Sequence, residues 1–249
     1  MNRIIFWIIA GLSAFQCRTA GSAVLVETVH GDVRVRRGLE ENWSKARPGM
    51  PLEALDTVWS GEASETVLRL EDGTRFTLGG NAILDIGDLR RITEKQMFLF
   101  LMSRKVEGLA ASDSSRPIRI ANVSVVRGAR RGDRTDMASE GAAGNAGWVR
   151  EKNGAQALNN AGLTPNAVIR LCRILERYPG LKDGGEIHWM LGRAFESMNQ
   201  PGRAMEAYRT ALERIDSAPE DRTLNAERRT GIEAALGRLK NFSASSNSE

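Results

Sequence analysis

An α+β fold built in separate parts is predicted, on three observations. Residues 24–128 alternate apolar and polar side chains with period two and are cut by Gly and Asp-Gly turns. Residues 130–160 lose that pattern and turn to Gly, Ala, Asn and charge. From Thr164 onward, apolar residues recur every three or four positions, the spacing of amphipathic helices. A chain of 249 residues suits one or two domains. Its 35 basic and 31 acidic residues are mixed along the chain. A nucleic-acid partner, which needs cations gathered on one face, is therefore not expected.

The N-terminus reads as an export signal over 1–23. Arg3 supplies a positive charge, 4–15 a short apolar run, and Gly21-Ser22-Ala23 a small-residue cleavage site. This places the mature chain in the periplasm or otherwise outside the cytoplasm. An uncleaved anchor is the rival reading, but the run is shorter than the roughly 20 residues a spanning helix needs. Contact with the membrane follows only if this segment is retained. A lipoprotein cysteine at Cys17 is a third reading, weakened by Gln16 where a small residue is wanted. Once the leader is cut, Cys172 stands alone, so no internal disulfide can form. Its neighbours Leu171, Ile174 and Leu175 predict a buried thiol.

In the β part, Thr66, Leu68 and Leu70 share one face, and Thr74, Phe76 and Leu78 continue it beyond Asp72-Gly73. Asp-Gly between alternating runs is a strong hairpin signal, because both residues tolerate positive φ. Gly79-Gly80-Asn81 reads as another hairpin turn, followed by inward Ala82, Leu84 and Ile86. Residues 97–102 are apolar on both faces and read as a central buried strand. Residues 118–126 supply one more. The sum is an antiparallel sandwich or barrel-like domain over 24–131.

Residues 132–163 offer few apolar side chains to offset the entropy of ordering and read as a flexible linker. Arg127, Arg130, Arg131 and Arg134 form a basic cluster at its border. A helical domain follows over 164–241, with Thr164 as N-cap and Pro165 in the first turn. Pro179-Gly180 stops the first helix. Further helices are expected at about 186–198, 203–215 and 224–241, and the Ser-rich 242–249 reads as a disordered tail.

Two resemblances rest on these residues. Gly31, Val33, Val35, Trp43, Gly49, Leu52, Asp56, Gly61, Leu68, Leu70, Asp72-Gly73-Thr74 and Leu78, continuing to Val123 and Arg127-Gly128, resemble the FecR domain family. That resemblance implies an exported β domain that engages another envelope component in sensing or scaffolding. Leu191-Gly192, Phe195, Ala204, Tyr208 and Ala211 resemble a tetratricopeptide repeat of about 34 residues. Ala167, Leu171, Ile174 and Pro179 suggest a preceding partial repeat. This second resemblance implies a groove suited to a peptide segment of a protein partner.

Catalytic chemistry finds little footing. His30 and His188 are the only histidines, and neither has Cys or carboxylate companions at ligand spacing. Asp85 and Asp88 flank Ile86-Gly87 and read as turn residues. No metal, cofactor or enzyme activity is expected. The expectation is an envelope adaptor or sensor that meets a protein through its helical part. Trp43, Trp59, Arg127, Trp189 and Tyr208 are the candidate contact residues. A cell-wall glycan or polymer is the second candidate partner, and a hydrolase is the weaker alternative.

Overall fold

The computed structural model describes residues 24–112, 146–217 and 222–245. Its β part contains β1 (Val24–His30), β2 (Val33–Arg36), β3 (Trp43–Lys45), β4 (Pro51–Leu52), β5 (Thr57–Ser60), β6 (Glu65–Arg69), β7 (Arg75–Leu78) and β8 (Ala82–Asp85). They form two antiparallel four-stranded sheets, ordered β4-β1-β6-β7 and β3-β2-β5-β8. The alternation read from the sequence selects the inward faces. Val33, Val35, Val58, Leu68, Phe76, Leu78 and Leu84 are each 1% exposed or less.

The Asp72-Gly73 hairpin forms between β6 and β7. Leu70 donates its N–H to Thr74 O at 2.8 Å, Asp72 Oδ1 accepts from Thr74 N at 2.9 Å, and Gly73 has φ +80°. Gly79-Gly80-Asn81, in contrast, is not a hairpin turn. β7 pairs with β6 and β8 pairs with β5, so this turn carries the chain from one sheet to the other. A Cβ at Gly80 would overlap the Glu62 carbonyl oxygen, so only glycine lets the backbone cross there. Asn81 then donates its N–H to Gly61 O at 2.8 Å. Asp56 is buried and ties the loops at the opposite end of β5. Its carboxylate accepts from Arg37 Nη1 at 2.6 Å and from Gly38 N and Glu53 N at 2.9 Å.

Residues 97–102 are helix, not strand: they lie in α1 (Glu94–Ser112). A capping box starts it, with Thr93 N donating to Gln96 Oε1 at 2.9 Å and Gln96 N to Thr93 Oγ1 at 3.3 Å. The apolar run then splits by helical angle. Met97 is closed off, while Phe98 and Leu99 are 42% and 57% exposed. The strand read over 118–126 lies outside the described residues.

The linker reading also fails in part, because 146–160 form α2 (Ala146–Asn160). Order here comes from tertiary packing and not from a broad apolar stripe. A Cβ at Gly154 would overlap Ile83 O, so glycine brings α2 directly onto β8. α3 (Thr164–Arg177), α4 (Glu186–Ser197), α5 (Pro201–Ser217) and α6 (Arg222–Ser245) follow close to the predicted spans. Leu163, not Thr164, is the N-cap of α3, and Pro165 lies in its first turn. α6 continues through 242–245, which the sequence assigned to the disordered tail. α2 packs on α3, α4 on α5, and α6 on α5. Among the described residues, no helix is long and apolar enough to cross a membrane.

The two parts share a wall. Ala157, Leu158 and Ala167 belong to the sandwich core, and Met97 of α1 belongs to the helical core. Polar groups close the rest of the joint. Arg170, 6% exposed, donates from Nη2 to Ile83 O at 2.7 Å and pairs through Nη1 with Asp88. Asn153 Nδ2 donates to Asn81 O, and Asn166 Nδ2 to Asp88 O and Arg90 O, all at 2.7 Å. β8 would otherwise be an open sheet edge; Arg170 satisfies its Ile83 carbonyl, and the two asparagines take carbonyls just before and after the strand. Asp85 and Asp88 are thus more than turn residues. Asp88 also receives Arg173 Nη1 at 3.2 Å, and Asp85 lies 3.7 Å from Arg170 Nη1.

Candidate functional site

Two surfaces combine tryptophan with cations. The first is the outer face of the β3-β2-β5-β8 sheet. On β2, Val33 and Val35 point inward, so Arg34 and Arg36 point out. Antiparallel register places Lys45, Arg34 and Trp59 in one cross-strand row, and Trp43, Arg36 and Thr57 in the next. The Arg34 guanidinium lies 5.3 Å from the Trp59 ring centroid, and Arg150 of α2 lies 5.8 Å from it. Arg36 lies 5.4 Å from Trp43. Such stacking is favourable because the ring's quadrupole is negative on its faces.

Polar contacts hold these cations in place. Arg34 Nη2 donates to Asp32 Oδ2 at 2.9 Å, and Arg150 Nε to Asn81 Oδ1 at 3.2 Å. Arg36 Nη2 donates to Thr57 Oγ1 at 3.2 Å, and Thr57 Oγ1 donates onward to Asp85 Oδ1 at 2.8 Å. Arg36 Nε and Trp59 Nε1 are buried donors without a hydrogen-bond partner. Beside β3 lies an open recess of about 510 Å³, lined by Ser44, Lys45, Arg47, Pro48, Gly49 and Met50.

The second surface crosses α2, α4 and α6. Trp189 on α4 has Arg193 at 5.3 Å and Arg228 at 5.9 Å from its ring centroid. Lys152 of α2 lies 5.7 Å from the Trp148 ring and 2.8 Å from Glu186 Oε1. Glu186 is also 3.7 Å from Arg228 Nη2. Arg228 is buried and anchored, with Nη1 donating to Gly184 O at 2.8 Å.

The predicted contact residues thus have different fates. Trp43 and Trp59 come together on one sheet face, and Trp189 stands apart on α4. Arg127 lies outside the described residues. Tyr208 is 1% exposed and cannot meet a partner. Its ring fills the space over Gly192, where a Cβ would overlap it, and its hydroxyl donates to Glu196 Oε2 at 2.8 Å. Burial and Glu196 raise its phenol well above the usual range. The sequence reading passed over Arg34 and Arg36, although the Val-Arg-Val-Arg alternation of β2 already points both outward. Nothing local in the sequence joins Arg150 to Trp59.

The titratable groups fit structural roles. Burial pushes the Cys172 thiol up to about 11, with Glu176 adding to the shift. At that value the thiolate is scarce and the sulfur is a poor nucleophile. Burial, then Arg214, lower His188, against an opposing pull from Asp183. His30 is exposed at the end of β1. Among the described residues, no group of three or more His, Cys, Asp or Glu could hold a metal ion.

The arrangement defines an α+β protein whose sandwich and helical stack are joined edge to face and carry separate Arg–Trp surfaces. Comparison with protein-family models, curated proteins and solved structures finds no match to the chain.

Proposed function

We propose that this chain is an exported cell-envelope adaptor or sensor, with a FecR-like β domain and a tetratricopeptide-like helical module that bind different envelope partners. The observation that carries the reading is the joint. Arg170, Asn153, Asn166 and Leu158 hold the sandwich and the helices together, while Trp59 stands on β5 and Trp189 on α4. A protein that couples two partners needs such a fixed spacer between two contact surfaces. Supporting the helical assignment, Gly192 and Tyr208 close the α4–α5 hairpin, as the repeat pattern requires. Trp189 with Arg193 offers an aromatic and a cation, the residue types that dominate protein contacts. The N-terminal 1–23, outside the described residues, carry the export part of the reading.

The test uses the full chain in its native cell. Fractionation should recover it from the periplasm or outer envelope. A photo-crosslinking residue in place of Arg193 should trap a defined envelope protein, and Trp189→Ala should abolish that adduct. A chain that stays in the cytoplasm, or Arg193 adducts unaffected by Trp189→Ala, would sink the proposal.

A further inference from the structure

We infer that the outer face of the β3-β2-β5 sheet binds an acidic polysaccharide through Arg34, Arg36, Lys45 and Arg150, arranged around Trp43 and Trp59. This rests on the adaptor reading and names the chemistry of the partner for the β part.

Charge sets the sign of the ligand. The face gathers four cations against the carboxylates of Asp32 and Asp85. Lys45 is exposed and makes no ion pair among the described residues, and Arg47 adds a cation to the adjoining recess. Polyanions are drawn to such a focused field. The rows of side chains run across the strands, which lie about 4.8 Å apart, so the Lys45–Arg34–Trp59 row spans about 10 Å. A flat, extended polymer with regularly spaced carboxylates can lie along it.

The state of the tryptophans selects among polyanions. Trp59 has guanidinium groups at 5.3 and 5.8 Å, and its Nε1 is buried. Its ring is therefore not open for stacking, which single-stranded nucleic acid uses for much of its affinity. Nor does it project as the aromatic side chains of a membrane-surface protein do. An extended peptide would add along the β3 edge through backbone hydrogen bonds and would not cover Arg34 and Arg36 on the face. Arg34 is fixed beside Trp59 with Nε and Nη2 on Asp32, and Arg150 with Nε on Asn81, so these cations are held in place on the face, and guanidinium groups pair well with carboxylates. Acidic sugars offer carboxylates with hydroxyls between them, and so need no open aromatic face.

The experiment uses the mature full chain and polygalacturonate as probe, read by affinity electrophoresis and calorimetry at low and raised salt. Dextran, poly-L-glutamate, a single-stranded oligonucleotide and anionic phosphatidylglycerol vesicles are the comparison probes. Polygalacturonate should bind, more weakly as salt rises, and dextran should not. Lys45→Glu is at an exposed site and should keep the fold while weakening binding about tenfold. Trp43→Ala should weaken it less. Absence of polygalacturonate binding, or binding unchanged by Lys45→Glu, overturns the inference. So does equal or tighter binding of poly-L-glutamate, the oligonucleotide or the vesicles. Failure here leaves the Arg193 crosslink and the fractionation result untouched, so the two proposals fall separately.

Discussion

The sandwich and the helical stack bring their elements together in different ways. The sandwich uses Val26, Val33, Val35, Val58, Leu68 and Leu84, branched residues that interlock between two facing sheets. The helical stack buries branched residues too, Leu171, Ile174, Ile187 and Ile232 among them, but its α4–α5 contact sets small residues beneath one large ring. Ala194, Ala204 and Ala211 are buried, and Gly192 takes the ring of Tyr208. Helices can approach closely only where side chains are short, whereas sheets stay about 10 Å apart and need volume. The joint borrows from both. Gly154 and Ala157 bring α2 onto β8, and Leu158 fills the end of the sandwich core. The difference teaches that α2 is a helix by packing and is shared by burial, with Trp148 and Ala155 in the helical core and Ala157 and Leu158 in the sandwich core.

The comparison breaks most readily at Arg170. Its guanidinium is buried and serves Asp88 and the Ile83 carbonyl together. Arg170→Ala leaves both without that donor and should cost about 3–5 kcal/mol, measured by urea denaturation. A loss under 1 kcal/mol would mean that the apolar contacts alone hold the joint.

Leu158→Ala should cost about 2–5 kcal/mol. Leu158 is helical in sequence but lies in the sandwich core, so near- and far-ultraviolet signals should fall together in one transition. Two separate transitions in the parent protein would show that the parts unfold independently, and the shared wall would lose its meaning.

A smaller effect is expected at the start of α1. Thr93→Ala removes one half of the capping box and should cost about 1 kcal/mol. Hydrogen exchange should rise first near residues 94–97. An unchanged exchange rate there would show that α1 is held by Met97 in the helical core and not by its cap.

The smallest effect sharpens the helical side alone. His188 is held below its usual pKa, so the unfolded chain takes up a proton at higher pH than the folded one. Its contribution is fully present above about pH 6.5 and is lost as pH falls through the lowered folded value. His188→Gln should flatten the fall in Tm between about pH 7 and about pH 5. A parallel curve for the variant would assign that fall to other groups.

What could be read from the chain alone was whatever depends on neighbours in sequence. Alternation on β2 and β6–β8, the positive φ that Asp72-Gly73 invites, and the helical spacing after Thr164 are local properties, and they fixed those elements. The same local rules misjudged 97–102 and 146–160. Apolar content on both faces suits a strand or a helix equally, and only the Thr93–Gln96 cap separates them. α2 has few apolar residues, and its order depends on β8, more than sixty residues earlier in the chain. Trp43 and Trp59, offered as candidate contacts, lie on one sheet face, but Tyr208 was lost to the core because its depth depends on how α4 meets α5. Periodicity selects which face of an element is apolar. Which partner covers that face, and so whether a tryptophan or tyrosine reaches solvent, is settled only when distant elements compete for the same surface.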